Sequence, residues 1–513
     1  MAMPIVEALA AYNDKGYIPF HTPGHKQGRA WGCWESWGRS LGGLWSGGLR
    51  SWPLAGEFWR ADLTEVPGLD DLACPKGAIA EAERLSAQAF GAKQSFFLVN
   101  GATVGIQALM LAWCGPEDRV LVPRYAHRSI WAGLVLTGAR PVYLQPELHP
   151  RLGFPLAITV EETRRALREA PSARLLWLVH PSYYGITSRA QAIIQEAQRA
   201  GVPVVADEAH GSHFIWDRRL PEPALACGAK ASVQSWHKTL VSLTQSAVLH
   251  LGDDQWGQAV AGALRLLQSS SPSYLLLASL DACRELMATQ GQSIWGRTVD
   301  LALEVRRRLV RLAEAKGLEL VGEEVLTIPG VGGWDPTRLV ISAAQGWGLS
   351  GPDLASVLRD EGIQAEMADA QSVVLLVTPG DDEETISLLA QALERIGQRA
   401  GKTRVAGSQA RSSSGQGFPW SAPWPRPQVA LSPRQAYLKL KSSPEARAVP
   451  LAEAQGLVAA EMVCPYPPGV PLLCPGEVID QEVIAWIKEL RGRKLYFQGA
   501  SDPSLKSILV WDR

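Results

Sequence analysis

Between residues 75 and 285 the chain alternates short apolar runs with helical patterns, and no other feature restricts its fold so strongly. Ser95–Val99, Val120–Val122, Leu175–Val179, Val202–Ala206 and Ala247–Leu251 read as buried strands. Thr103–Trp113, Thr159–Glu169 and Ser188–Ala200 read as helices between them. Such alternation predicts an α/β architecture with a mostly parallel sheet and helices on both faces. Ligands of open parallel sheets lie outside the carboxyl ends of the strands. Polar residues directly after these runs are therefore the first places to look for chemistry.

Four segments stand there. Ser235-Trp-His-Lys238 follows the apolar-leaning Ala231–Gln234. A lysine attacks an aldehyde only when neutral, which calls for desolvation or a cationic neighbour, and His237 stands beside it. Taken alone, a lysine after a histidine reads first as a surface residue. Asp207-Glu-Ala-His210 directly follows Val202–Ala206. A carboxylate at the end of a buried strand must meet a cation to offset its desolvation. A pyridinium nitrogen is such a cation, and an aspartate that keeps it protonated makes pyridoxal phosphate an electron sink. An N-cap for the next segment explains the same residue equally well. Val99-Asn-Gly-Ala-Thr-Val-Gly105 opens a helix whose N–H groups can meet a phosphate, with the Thr103 hydroxyl added. An ordinary strand-to-helix turn looks similar. Tyr125-Ala-His127-Arg-Ser129 offers a ring to stack on a flat cofactor, or a structural histidine. In combination these segments place a phosphate cradle, a stacking ring, a pyridinium carboxylate and a Schiff-base lysine at the strand ends of one predicted sheet.

The flanking regions are organised differently. Residues 1–60 form an arm followed by a Trp- and Gly-rich segment with Trp31, Trp34, Trp37, Trp45, Trp52 and Trp59. Tryptophans so dense suggest burial against a partner subunit. Residues 61–285 make the large domain. Residues 286–399 read as a smaller α+β domain, with Arg338–Ser342 and Val373–Val377 its clearest strands. Residues 400–431, rich in Ser, Gly, Pro and Arg, read as a linker. Residues 432–513 regain apolar periodicity as a C-terminal α+β domain. The net charge of -1 and the lack of a long basic run speak against nucleic acid or anionic lipid as partners. No run of about 18 apolar residues occurs, so no membrane span is expected. Met1–Gly16 carries charges and lacks a secretory apolar core. The seven cysteines are scattered with no CxxC pair, which fits the reducing cytoplasm.

The chain resembles the bacterial Orn/Lys/Arg decarboxylases, pyridoxal-phosphate enzymes of the aminotransferase-like fold type I, in their short form without an N-terminal wing domain. The matching stretches are Phe20-His-Thr-Pro-Gly-His-Lys26, Gly68-Leu-Asp-Asp-Leu72, Phe96-Phe-Leu-Val-Asn-Gly101, Pro181-Ser-Tyr-Tyr-Gly185, Asp207–His210 and Gln234-Ser-Trp-His-Lys-Thr-Leu240. Leu243-Thr-Gln245, Ser271-Pro-Ser-Tyr274, Ala278-Ser-Leu-Asp281, Pro465-Tyr-Pro-Pro-Gly469 and Pro475-Gly-Glu477 match as well. The resemblance implies that Lys238 binds the cofactor as a Schiff base, Asp207 pairs with the pyridine nitrogen, His127 stacks on the ring and Ala209 packs beneath it. Gly101, Ala102, Thr103, Ser235 and His237 would hold the phosphate, with His210 also in the cofactor site. It further implies decarboxylation of a basic amino acid, most like arginine to agmatine in polyamine biosynthesis, by a cytoplasmic homo-oligomer with its site at a subunit interface. Two residues depart from the family pattern: Ala102, where Ser or Thr is common, and the bulky Trp236, where a small residue is expected.

Glu366 and Asp369 are candidates for gripping the substrate's cationic end, or exposed loop charges. Lysine or ornithine are alternative substrates. Transamination is an alternative reaction, with Arg338 as carboxylate binder, and a non-catalytic regulatory or scaffold protein is a further one. Gly397–Thr403 resembles a phosphate-binding loop but is one residue short and follows a helical pattern rather than a strand. Asp207, His210 and His213 have a spacing a metal could use, yet beside the lysine motif no metal is expected. Leu495-Tyr-Phe-Gln-Gly499 reads as a native strand and turn.

Overall fold

The computed structural model describes residues 2–14, 60–406, 424–442, 446–466, 470–491 and 496–512. The Phe20–Lys26 motif and Trp31–Trp59 lie outside the described residues. Along the chain the strands are β1 Gln94–Leu98, β2 Arg119–Pro123, β3 Arg140–Leu144, β4 Pro146–Leu148, β5 Pro155–Ile158, β6 Leu175–Val179, β7 Ile186–Ser188, β8 Val204–Asp207, β9 Ala231–Gln234 and β10 Ala247–Leu251. They continue with β11 Glu319–Leu320, β12 Val331–Trp334, β13 Arg338–Ser342, β14 Met367–Ala368 and β15 Ser372–Leu376. The C-terminal strands are β16 Arg447–Pro450, β17 Val458–Ala459, β18 Cys464–Tyr466, β19 Tyr496–Gln498 and β20 Ser507–Trp511. Two compact units make up the chain, Met1–Ala108 with Val233–Gly291, and Leu109–Ser232 with Gln292–Arg513.

In the first unit β1 runs antiparallel to β10, with Gln94 opposite Leu251 and Leu98 opposite Ala247. Helix Gly101–Trp113 starts in this unit and packs closely on its strands. A Cβ at Gly105 would lie 2.7 Å from Leu98 Cδ1 and 2.9 Å from Val233 Cγ1, so only glycine allows that approach. Several family-like motifs hold this unit together. The Asp70 carboxylate accepts the N–H groups of Asp71, Lys76, Gly77 and Ile79 at 2.8–3.0 Å, which shapes the entry to helix Ala78–Phe90. Asp281 accepts the Ile5 N–H at 2.9 Å, satisfying a first-turn donor of helix Pro4–Asp14 that has no acceptor within its own helix.

In the second unit β2 pairs in parallel with β3 and β6, and β6 pairs in parallel with β8. The expected parallel arrangement is therefore found here, and the β1–β10 pair is antiparallel. Asp207 is the last residue of β8 and stands opposite Val179. Thr159, expected inside a helix, caps it instead: its Oγ1 accepts the Glu162 N–H at 3.0 Å. Strands β11, β13, β15 and β14 form a separate antiparallel sheet with a core of Val305, Leu339, Ile341, Leu354, Val373 and Leu393.

Three boundaries differ from the sequence reading. The 285/286 boundary falls inside the continuous helix Tyr274–Lys316. The expected linker is structured at both ends. Helix Glu383–Ala406 runs past residue 400 and encloses Gly397–Thr403, so that segment forms no loop for a phosphate. Beyond residues 407–423, Ala430 N and Leu431 N both donate to Gly476 O, at 2.9 and 3.0 Å. Ser432 and Gln435 then cap helix Pro433–Ser442 reciprocally, each side chain accepting the other's backbone N–H. The C-terminal residues fall in the same compact unit as β2, β3, β6 and β8. Tyr496–Gln498 is a strand, paired with β18. No described helix is long and apolar enough to cross a membrane.

Candidate functional site

The first unit carries the lysine and the donor groups. Gly101 (φ +69°) turns the chain from β1 into its helix, and its N–H donates to Gln245 O at 2.8 Å. The N–H groups of Ala102 and Thr103 lie in the first helical turn, where no intrahelical acceptor exists, at the positive end of the helix dipole. Thr103 is exposed and Ala102 is buried. Ser235 stands at the N-cap position of the one-turn helix Trp236–Thr239 without a side-chain capping bond, and that helix carries His237 and the half-buried Lys238. His237 Nδ1 donates to Ser246 O at 2.7 Å. Burial and the nearby Lys238 charge hold the His237 pKa below the usual imidazole value, against the pull of the Ser246 bond. Thr239 Oγ1 is buried with no hydrogen-bond partner. Trp236 turns into the core: it stacks on Phe90 at 4.7 Å, and its Nε1 donates to Gln234 Oε1 at 3.1 Å.

The second unit carries Asp207 and the histidines. Asp207 is buried, and its Oδ1 accepts the Ala209 N–H at 3.2 Å. The next carboxylate, Glu208, faces inward and accepts Ala224 N–H and Ser232 Oγ–H at 2.8 and 2.5 Å, a structural role the sequence reading missed. His127 is the N-cap of helix Arg128–Thr137; its Nδ1 accepts the Ser129 N–H at 3.3 Å, which fixes the plane of the ring. His210 Nδ1 lies 2.8 Å from Arg338 Nη2, and Tyr183 packs against its ring at 4.4 Å. Arg338 is 1% exposed, and its Nη1 has no hydrogen-bond partner. His213 Nε2 is 3.0 Å from Asp335 Oδ2, so His210 and His213 turn to different partners. No group of three His, Cys, Asp or Glu among the described residues is arranged to hold a metal.

Of the two substrate candidates, Glu366 is exposed and close enough to Arg338 to favour its charge. Asp369 is turned to the fold. Its oxygens accept the Tyr184 hydroxyl at 2.8 Å, the Ser372 hydroxyl at 2.7 Å and the N–H groups of Gln371 and Ser372 at 2.8 and 2.7 Å. Burial nevertheless raises its pKa above the usual carboxylate value. Arg124, just after β2, forms a fully buried two-bond ion pair with Glu477 of the Pro475-Gly-Glu477 motif, at 2.5 and 2.8 Å.

The chain is similar to known proteins along nearly its whole length. A model of the Orn/Lys/Arg decarboxylase major domain matches residues 3–385, and one of the Orn/Lys/Arg decarboxylase C-terminal domain matches residues 421–500. The arginine decarboxylase of Bacillus subtilis (strain 168) is 34% identical over 509 residues, covering 99% of this chain and 97% of its own length. A lysine decarboxylase of Pseudomonas aeruginosa is 26% identical over 576 residues, covering 92% of this chain and 73% of its own length. The structure of the Francisella novicida lysine decarboxylase shares the fold, with a TM-score of 0.82 at 20% identity over 99% of this chain and 80% of that one.

Proposed function

The chain belongs to the Orn/Lys/Arg decarboxylase family, and from that premise we propose that it converts arginine to agmatine and CO2 with pyridoxal phosphate as cofactor. The choice of arginine is supported by the closer likeness to the relative named for arginine than to the one named for lysine. The observation that carries the cofactor assignment is Lys238 on its one-turn helix, in the same unit as the donor-rich start of helix Gly101–Trp113. The residues fit the group. Ala102 N–H, Thr103, Ser235 and His237 suit a phosphate, and the buried, unpartnered Thr239 Oγ1 beside Lys238 has a bond still to make. Ala102 lacks a hydroxyl but keeps its N–H, so the missing side-chain bond weakens the cradle without removing it.

When bound, the cofactor supplies a sink for the electron pair left on the substrate's Cα as CO2 departs. Lys238 would hold it covalently through Nζ. Asp207, at the end of a buried strand, would keep a proton on the ring nitrogen, and His127 would present a ring face held in place by its capping bond. Arg338 Nη1 is a buried donor suited to a substrate carboxylate, and the exposed Glu366 is suited to a guanidinium. Lys238 Nζ would be the group that returns a proton to Cα. The proposal includes a cytoplasmic homo-oligomer with the site at a subunit interface, checked by the solution mass. The decisive assay offers arginine, lysine and ornithine in competition and measures the amines released. Agmatine should dominate; cadaverine or putrescine as main product would reassign the substrate. A Lys238→Ala protein that kept full turnover would overturn the chemistry itself.

A further inference from the structure

The contact between His210 and Arg338 has a chemical consequence of its own. A guanidinium has five N–H donors and no acceptor. With Arg338 Nη2 2.8 Å from His210 Nδ1, that ring nitrogen must supply the lone pair, and the imidazole proton belongs on Nε2. A second proton on the ring would set donor against donor and charge against charge in a buried place.

Arg338 is held where it enforces this. Its Nε lies 3.9 Å from Asp335 Oδ2, and that oxygen also accepts from His213 Nε2 at 3.0 Å. The other Asp335 oxygen accepts the Thr337 N–H and hydroxyl at 2.9 and 2.6 Å. Burial alone would raise the Asp335 pKa, but His213 and Arg338 outweigh it and hold the carboxyl below its usual value. The His213 ring rests on Trp295, with centroids 4.4 Å apart. Behind Arg338 stands Gly185, at φ +78°, where a Cβ would come within 2.6 Å of Arg338 Cγ. Tyr183 and Arg338 both face the His210 ring; Asp207 lies on its own segment, and Asp335 and Glu366 act on Arg338.

We propose that Arg338, aligned by Asp335, is a positioning residue that fixes His210 as a neutral imidazole with its proton on Nε2. His210 then presents a permanent N–H donor next to Asp207 and takes no part as an acid. That assignment gives the return of a proton to Cα to Lys238 and rests, in that respect alone, on the decarboxylase reading.

The test is nitrogen NMR of the full chain, labelled with 15N-histidine, loaded with pyridoxal phosphate and free of substrate. The nine histidines make assignment through a His210→Gln sample practicable. His210 should show a protonated Nε2 and an unprotonated Nδ1, with no titration between about pH 5 and 8. A proton on Nδ1, or a titration in that window, overturns the proposal. In an Arg338→Met protein His210 should lose its fixed tautomer and begin to titrate within that window. If it remains fixed there, Arg338 is not the cause. The native spectrum decides the tautomer even where Arg338→Met fails to fold. No substrate is involved, so failure of the amine assay and failure of this assignment are separate results.

Discussion

Replacing Glu83 with glutamine should change how the protein's stability responds to pH. Glu83 lies on helix Ala78–Phe90, is 8% exposed, and its Oε1 accepts the Phe97 N–H of β1 at 2.8 Å. Burial pushes its carboxyl from an ordinary 4.5 up to about 8, against the pull of the Phe97 N–H and with a further push from Asp70. The unfolded chain gives up this proton near 4.5, while the fold keeps it to about 8. Between those values the native state binds more protons, so stability falls as pH rises, by up to about 1.36 kcal/mol per pH unit. Below that window Glu83 contributes no difference; above it the cumulative loss is roughly 5 kcal/mol, an order-of-magnitude figure. Glutamine keeps a carbonyl for Phe97 and cannot ionise. Urea unfolding, followed side by side by tryptophan fluorescence, should give similar midpoints near about pH 5 and a clear advantage to Glu83→Gln near about pH 9. A gap that stays constant across that range would refute the buried, protonated carboxyl. Glu83→Ala is the contrasting variant. It strands the Phe97 N–H and should cost about 1–3 kcal/mol even where Glu83 is protonated in both states.

Arg124→Met leaves Glu477 as a buried charge without its cation, and should lower stability by about 3–5 kcal/mol; removing Glu477 in the same protein should restore part of that, read from urea midpoints. Gly185→Ala puts a Cβ in a left-handed position against Arg338, for a cost of about 2–4 kcal/mol together with reduced turnover in the amine assay. In a Lys238→Ala background, pyridoxal phosphate should bind with uptake of about one proton above pH 7, because His237 is neutral there and must gain a proton at Nε2 to donate to the phosphate. Calorimetry in buffers of different ionisation heat measures that uptake, and its absence would remove His237 from the phosphate site.

Residues whose roles depend on nearby sequence were the legible ones. Asp207 and Lys238 stand out because an apolar strand ends at Asp207 and the apolar-leaning Ala231–Gln234 ends shortly before Lys238, and strand ends are where a parallel sheet exposes polar groups. β3 was missed because its core is short and begins Arg140-Pro141, and proline argues against a strand unless it lies at an edge. Contacts distant in sequence left no local mark. His210 meets Arg338 across 128 residues and Arg124 meets Glu477 across 353, so their motifs could be matched but their partners could not be read. Trp236 shows the same limit. Beside Lys238 in sequence, it turns to Phe90, and only the fold decides which way a residue in a one-turn helix faces. Asp369 was more readable than it was credited to be. An aspartate two and three residues before the N–H groups it accepts is an Asx-type turn, which already favours a structural role over a ligand.

The histidines near the strand ends can be sorted by what each Nδ1 already does. His210 faces the Arg338 guanidinium there, so it keeps its proton on Nε2, whereas His127 Nδ1 meets the Ser129 hydroxyl at 2.9 Å and the Ser129 N–H at 3.3 Å. His210 would have to break that contact to gain a second proton, and His127 would gain one at the positive end of its own helix. His237 is arranged the other way. Its Nδ1 donates to the Ser246 carbonyl, so Nε2 carries the lone pair of the neutral ring and can gain a proton with that bond intact. Imidazoles of similar intrinsic basicity thus divide into a fixed donor, His210, and a proton acceptor, His237. A fixed donor suits a reacting centre where charge must appear only on the substrate. The acceptor suits the arrival of a phosphate, whose negative charge makes the added proton favourable.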